Sequence, residues 1–429
     1  MGFYIYSVLF VLFFILFFPV IALVCLAREK WRKTFWKRLG FQDLSACLKG
    51  GAKPVWVHAL SVGEMAAAAP LVRALLEDGI PVALSASTKT GYEAAQKLFS
   101  QSVPCIFYFP YDFYPSVLSV VSRLNPAACV LVESDVWPNV VHVLHKRKVP
   151  VILANARLSE RSLAGYQRFL FLMGPVFKRF LALGVQSARQ RERFGALGVE
   201  QERIHVTGNM KYDTARSIAA PDQGLASRLG IRARAPVLVA GSTHPGEETV
   251  LEQVLASSCK QGKNLFVIVA PRDPGRAKTV ARIFSEKGWR AGLYSEAGQG
   301  GAQTMDVCVV DKMGVLAGLY ALGDVCFVGG TLVPEGGHNP LEPASWAKPV
   351  VFGPDMSDFP EISDILVEQK AAWRALDASE LLKAVQTLLE DSAKAAAMGQ
   401  AARGVVEANQ GAVARTLALV KGALENEPH

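Results

Sequence analysis

Between residues 54 and 209, short apolar runs rich in β-branched residues alternate with stretches of helical pattern: "PVWVHAL", "PVALSAS", "ACVLVES", "PVILANA" and "IHVTGN". After "KYDTARSIAAPDQGLASRLGIRARA" the same rhythm starts again with "PVLVAGS", "LFVIVAP", "VCVVD", "DVCFVGG" and "PVVFGP". This is the pattern of a parallel sheet wound with helices, written twice. A chain of 429 residues has enough material for two such cores. The repeat predicts an α/β protein of two doubly wound, Rossmann-like domains, with ligands at the carboxyl ends of the strands and a cleft between the halves as the expected active site. The expected division is a segment 1–27, a first domain 28–220 and a second domain 221–429. The helical stretch from residue 378 onward is a candidate to cross back and brace the first domain.

What precedes the first domain constrains where it works. Phe3 to Ala27 carries no charged side chain, and about 20 apolar residues suffice to cross a bilayer as a helix. A cleavable signal would want a basic start, a shorter apolar core and a small-residue exit, and "VCLAREK" offers none. "ALVC", ending at Cys25, is a poor lipoprotein signal because Val24 precedes the cysteine. The segment is therefore expected to be an N-terminal transmembrane anchor. The formal charge of +8 is concentrated in "REKWRKTFWKR", Arg28 to Arg38, where six basic residues face one acid. Trp31, Phe35 and Trp36 interleave with them, as in segments lying at lipid headgroups. The collar predicts an anionic membrane surface as partner rather than nucleic acid, and places the body on the cytoplasmic side of the membrane. The seven cysteines stand singly in apolar settings, without a zinc-like spacing, and read as reduced core residues.

Candidate chemistry sits at strand-to-helix turns. In "WVHALSVGEMAAAAP", Ser61 and Glu64 have the spacing of a capping box, so Glu64 is either a cap or a chemical group. "LVESDVWPN" puts Glu133 and Asp135 at a strand end, and "TGNMKYD" puts Lys211 at another. In the second half "VLVAGSTHPGEE" brings Gly241, Ser242 and Thr243 to a turn that either binds an anion or is simply a capped loop. In "VAPRDPGR", Arg272 and Arg276 are candidate phosphate holders. The strongest signal is "GGTLVPEGGHNPLEPASW", with four glycines, a histidine and Asn-Pro. There Asn339 suits an N-cap and Pro340 a first helical position, while Gly336 and Gly337 would let a ligand approach the backbone. A nucleotide fits it, with its phosphate at the helix start and its ribose hydroxyls on Glu342.

"HALSVGE", "FPYD", "ESDVWPN", "NARLSERS", "VTGNMKYD", "AGSTHPGEE", "APRDPGR", "FVGGTLV" and "GGHNPLEPA" occur in an order that resembles the 3-deoxy-D-manno-octulosonic acid (Kdo) transferases, across nearly everything after the anchor. The resemblance implies a GT-B glycosyltransferase of lipopolysaccharide biosynthesis. Its first half would receive a lipid A precursor (lipid IVA) and its second would bind the donor CMP-Kdo. It implies Glu64 as catalytic base, with Glu133 and Lys211 supporting the transition state and Asp135 beside them. It also implies Pro271, Arg272, Met313, Gly314, Val315, Asn339, Pro340, Leu341 and Glu342 as contacts of CMP. The leaving group carries a single phosphate, which a helix dipole and Arg272 could neutralise, so no metal and no other cofactor is expected. Two departures stand out: "DKMGVL" has Val315 where the family usually has a glutamate, and Asp273 stands where histidine is common. The rival readings are a UDP-sugar lipid glycosyltransferase or an epimerase of the same build, and a non-catalytic membrane tether.

Overall fold

A computed structural model describes residues 2–27, 34–48, 51–134, 136–214, 224–231, 235–297 and 305–425, without the side chains at 2–5, 9, 13, 18, 21, 22 and 24–27. The chain forms two compact units, Met1–Thr214 together with Gln410–His429, and Ala215–Asn409. The final segment thus belongs with the first unit, whereas a division at 220/221 leaves it in the second.

The first unit is built on seven strands: β1 (Val55–His58), β2 (Val82–Ala86), β3 (Cys105–Tyr108), β4 (Ala128–Val132), β5 (Val151–Ala156), β6 (Ala182–Val185) and β7 (Ile204–Val206). They pair in parallel in the order β3-β2-β1-β4-β5-β6-β7. The order reverses between β1 and β4, and the crevice beyond their carboxyl ends is where doubly wound sheets bind ligands. Both faces are covered, so β1, β2, β4 and β5 are buried at every residue. That burial is why they read as unbroken apolar runs rather than alternating ones.

The second unit repeats the plan with β8 (Val237–Thr243), β9 (Phe266–Pro271), β10 (Ala291–Leu293), β11 (Val307–Val309), β12 (Val325–Val328), β13 (Val350–Phe352) and β14 (Ala372–Arg374). All pairs are parallel, in the order β10-β11-β9-β8-β12-β13-β14, with the reversal between β8 and β12.

The last helix, Ala412–Glu425, completes the first unit. Ala412, Val420 and Ala423 enter the same core as Val57, Leu71 and Leu75. The Asp213 carboxylate accepts the Gly411 and Val413 N–H groups at 2.7 and 2.8 Å.

The N-terminal helix Gly2–Ala27 does not stand apart as an anchor. Tyr6 donates to the Asp112 carboxylate and Ser7 to Asn139 Oδ1, both at 2.8 Å, and Phe14 stacks with Phe35 and Phe113. Asp112 also accepts the Asn139 and Val140 N–H groups, so one buried carboxylate starts the helix Pro138–Lys146 and holds the N-terminal helix against it. Among the described residues no helix is long and apolar enough to cross a membrane. The expectation of a transmembrane span is therefore unsupported, and the helix packs on the domain through Tyr6, Ser7 and Phe14. In the collar, residues 28–33 lie outside the described residues.

The cysteine expectation is also corrected. Cys47 and Cys105 form a disulfide across 58 residues, joining the Ser45–Leu48 turn to edge strand β3. Cys259 is exposed, and only Cys129, Cys308 and Cys326 are free and buried among the described residues.

Candidate functional site

In the first unit the candidates gather at the β1/β4 reversal. After β1 the chain turns at Leu60 and enters the helix Val62–Glu77 with Ser61 as N-cap. The Ser61 hydroxyl accepts the Glu64 N–H at 3.4 Å, and Glu64 Oε2 accepts the Leu60 N–H at 2.5 Å. The Ser61 half of the capping box read from the sequence is present, while the Glu64 carboxylate reaches one residue beyond the N-cap, to Leu60, which fixes it at the strand's carboxyl end. A helix N-terminus favours the ionised form of such a group. Gly91 is part of the arrangement, because a Cβ there would press on the Leu60 carbonyl at 3.1 Å and on the Ser61 backbone.

After β4, Glu133 turns the chain with φ 63°, a left-handed conformation that side chains rarely adopt, while its N–H still bonds to Ala154 of β5. Its carboxylate is buried and meets two cations, Arg157 at 3.0 Å and Lys211 at 3.7 Å. The structure thus brings Glu133 and Lys211 together and adds Arg157, which belongs to "NARLSERS" but carried no assigned role. Asn155, also left-handed at φ 53°, accepts the Met210 N–H at 2.9 Å and so places the turn that bears Lys211. Asp135 lies outside the described residues.

In the second unit the candidates gather at the β8/β12 reversal. Register shifts between Gly241 and Thr243, and Ser242 takes φ 56°, so β8 ends in a bulge that extends through residues expected to form a loop. A Cβ on Gly241 would collide with the Tyr320 hydroxyl, which is why a glycine stands there. The next helix, Glu247–Lys260, fills its first turn with its own carboxylates. Glu247 accepts four backbone N–H groups, from His244, Gly330, Thr331 and Leu332, at 2.8–3.1 Å. Glu248 accepts Thr243 Oγ1 at 3.0 Å and pairs with Arg276 at 3.0 Å. Arg276 is thereby committed to the scaffold, whereas Arg272, just past β9, exposes its side chain. Glu247 had not been singled out. Its signal was the Glu-Glu pair opening a helix right after a glycine-flanked turn.

The glycines of "EGGHNP" serve the protein itself. Gly336 and Gly337 have φ 83° and 76°, are buried, and a Cβ on either would strike Asp358 or Met356. They let the 355–358 loop approach, not a ligand. Pro340, rather than Asn339, stands at the N-cap of the helix Leu341–Ser345, and Asn339 Oδ1 accepts the Leu341 N–H at 3.1 Å. Five residues give that helix little dipole, so positive charge at this place comes from Arg272. Burial pushes the Glu342 carboxyl up to about 7, against the pull of Asn339 and Arg272. His338 is pushed down to about 4 by burial, then by Arg272 and His244. Arg272 therefore acts electrostatically on both groups. Pro271 closes β9, Met313 is exposed and Gly314 has φ 87°, while Val315 packs on the core beside Leu319 and Tyr320. Asp273 caps its own turn by accepting the Gly275 N–H at 2.9 Å, which accounts for the carboxylate locally.

Among the described residues no three His, Cys, Asp or Glu side chains group as a metal site. The arrangement offers a held carboxylate and an acid–cation cluster at one reversal point, and an arginine, a carboxyl and a histidine pair at the other.

Residues 33–214 match the family model for 3-deoxy-D-manno-octulosonic-acid transferase (kdotransferase). The chain is 31% identical over 408 residues to the 3-deoxy-D-manno-octulosonic acid transferase of Haemophilus influenzae, covering 94% of this chain and 95% of that one. It is 33% identical over 377 residues to the enzyme of the same name from Bordetella pertussis, covering 85% and 86%. Among solved structures it resembles UDP-GlcNAc 2-epimerase from Neisseria meningitidis bound to UDP-GlcNAc, with TM-score 0.60, 12% identity and coverage of 87% and 100%, a likeness that shows the fold alone.

Proposed function

Because the chain belongs to the 3-deoxy-D-manno-octulosonic acid transferase family and is thus a glycosyltransferase of lipopolysaccharide biosynthesis, we propose that it moves Kdo from CMP-Kdo to a lipid A precursor, in one displacement with inversion, at the cytoplasmic face of the inner membrane. The observation that carries this reading is that each sheet presents its candidate residues at its own reversal point, where doubly wound folds bind ligands.

Glu64 is the base. Its carboxylate takes the acceptor hydroxyl proton as that oxygen attacks the anomeric carbon. Lys211 and Arg157, held by Glu133, offer cationic donors to the anionic acceptor and to charge developing in the transition state. On the donor side Arg272 faces the phosphate, the carboxylate of Glu342 accepts the ribose hydroxyls, and Pro271, Asn339, Pro340 and Leu341 frame the nucleotide with Met313 and Gly314. At position 315 only backbone contact remains, since valine has no polar side-chain atom.

The membrane reading rests on the outer face of the Gly2–Ala27 helix. Val8, Leu12, Ile15, Leu16, Val20 and Leu23 are exposed along it, opposite the residues that fasten it to the domain. Phe169, Leu170 and Phe171 are exposed on the same unit, as are Trp36 and Phe41. An apolar face of this kind suits a helix lying in the headgroup layer, with a lipid acceptor reached from the same surface. The deciding experiment incubates purified protein with CMP-Kdo and a tetra-acylated lipid A precursor and reads product masses. Transfer from UDP-sugars with none from CMP-Kdo would overturn the reading.

A further inference from the structure

His244 follows β8 and His338 precedes Asn339, yet their Nε2 atoms stand 2.9 Å apart, with ring planes 15° from parallel. Two imidazoles can bond at that distance only if one Nε2 carries a proton and the other does not. The pair holds one proton between its facing nitrogens, so a proton gained or lost by one ring is felt by the other. The backbone is shaped to keep it so. Glu247 binds the His244 and Gly330 N–H groups together, and Gly330, at φ 68°, leaves room for both rings, since a Cβ there would lie 3.0 Å from His338 and 3.4 Å from His244.

The charged groups around the pair come from three elements. Glu335 lies 3.9 Å from His244 Nδ1, Glu247 holds the His244 backbone, and Arg272, at the end of β9, acts on His338 and on Glu342. Before a donor binds, burial and the Arg272 charge hold His338 neutral. A phosphate bound at Arg272 offsets that charge and brings an anion to the imidazole pair, which is what would let the pair take up a proton.

We propose that His244 and His338 act as one proton-transfer unit on the donor phosphate, protonating the nucleoside monophosphate as it leaves. The inference rests on the reading that this site takes CMP-Kdo. The neutral pair takes one proton from solvent as the anionic donor binds, becoming an imidazolium bonded to an imidazole. When the bond between the anomeric carbon and the phosphate oxygen breaks, its electron pair stays on that oxygen and the proton passes to the phosphate. CMP leaves as a monoanionic phosphate and the pair returns to neutral. The acceptor's proton goes separately to Glu64. Such assistance is the ordinary work of a histidine near neutral pH.

The test is calorimetric titration with CMP at pH 7.5, in two buffers of different ionisation heat, on the wild-type protein, His338→Gln and His244→Gln. Either variant should take up about one proton fewer per CMP bound than wild type, since the coupled pair is the group removed. Each should also lose about 10²-fold in kcat, with the alkaline limb of its pH–rate profile displaced. A merely structural role would move kcat or melting temperature but leave proton uptake unchanged, and that result overturns the proposal. Unchanged kcat in both variants overturns it as well. Failure of the wild-type protein to bind CMP at all would instead remove the donor-site reading, and this proposal with it.

Discussion

Glu64 Oε2 accepts the N–H of Leu60 at 2.5 Å, four residues back along the chain. The same carboxylate that closes the start of the Val62–Glu77 helix is thus the one assigned to take the acceptor's proton. The two roles separate in Glu64→Gln, because the amide oxygen can still accept from Leu60. Turnover should fall by about 10²–10⁴-fold, the usual worth of a general base, with the melting temperature within a degree or two of wild type. Glu64→Ala should lose both, with a further cost of about 0.5–1.5 kcal/mol for the lost hydrogen bond to Leu60. Near-normal turnover in the glutamine variant would reduce Glu64 to a cap.

Glu133 combines a left-handed backbone with a buried carboxylate that meets two cations. Glu133→Ala and Glu133→Gly both remove the carboxylate, but glycine also relieves the backbone, which for a non-glycine residue costs about 1–2 kcal/mol. Glu133→Gly should therefore unfold at higher denaturant than Glu133→Ala, while both lose turnover. Arg157→Ala should lower turnover without changing CMP affinity. Equal stability of alanine and glycine variants would show that the conformation at 133 is unstrained.

Much of this architecture was legible from the chain, and the parts that were not have physical reasons. The ten strands read from the sequence lie mostly in the interiors of the two sheets, where burial on both faces keeps the apolar runs unbroken. The four that were missed are β3, β10 and β14 at sheet edges and β6, a four-residue "ALGV" with a glycine in it. Glu133, Lys211 and Arg272 stood out as charges at strand ends. The partnerships did not, because His244 with His338 or Glu133 with Arg157 are matters of which turns the fold brings together. The glycines at 336 and 337 were misread as openings for a ligand for the same reason, since the loop that fills their space comes from residues 355–358.

The assignment of Glu342 to the donor ribose predicts a pH dependence of binding in a defined direction. Its folded value of about 7, raised by burial above the ordinary 4.5, means that the folded protein favours the protonated carboxyl. That contribution to stability is fully present below pH 4.5 and is lost as pH rises through 7. Glu342→Gln, neutral at all pH, should therefore melt above wild type at pH 8.5, by about 2–4 °C for each kcal/mol of relieved desolvation, and equal it near pH 4. Ribose hydroxyls need the ionised carboxylate as acceptor, so wild-type CMP affinity, corrected for titration of CMP itself, should weaken as pH falls below 7. The variant should bind CMP weakly throughout. Unchanged affinity in Glu342→Gln would send the ribose elsewhere.

The Cys47–Cys105 bridge closes a loop of 58 residues. By loop entropy it is worth about 4 kcal/mol to the first unit, less any strain. Reductant should lower the wild-type melting temperature and leave Cys105→Ser unmoved. An identical response in both proteins would mean that the thiols stay reduced in solution.

The N-terminal helix has a fastened face and an outward one, and the two faces predict opposite behaviour. Tyr6→Phe loses the bond to Asp112 and should destabilise the first unit by about 1 kcal/mol while leaving vesicle binding intact. Leu12, Leu16 and Leu23 point outward, Leu16 at 73% exposure, and fully burying a leucine is worth about 1.5–3 kcal/mol. Replacing all three by serine should leave the melting temperature unchanged and weaken binding to lipid vesicles by at least about a hundredfold, since each 1.4 kcal/mol is tenfold. Transfer to a vesicle-embedded acceptor should fall in step, and transfer to a soluble, deacylated acceptor should not. The dependence on salt separates the two forces at the surface. The leucine variant should keep a residual, salt-sensitive association through Lys37, Arg38 and the basic residues before them, because screening weakens charge attraction but not apolar burial. If the serine variant binds vesicles as tightly as wild type in high salt, the outward face does not enter the membrane, and the apolar stripe must have some other cover.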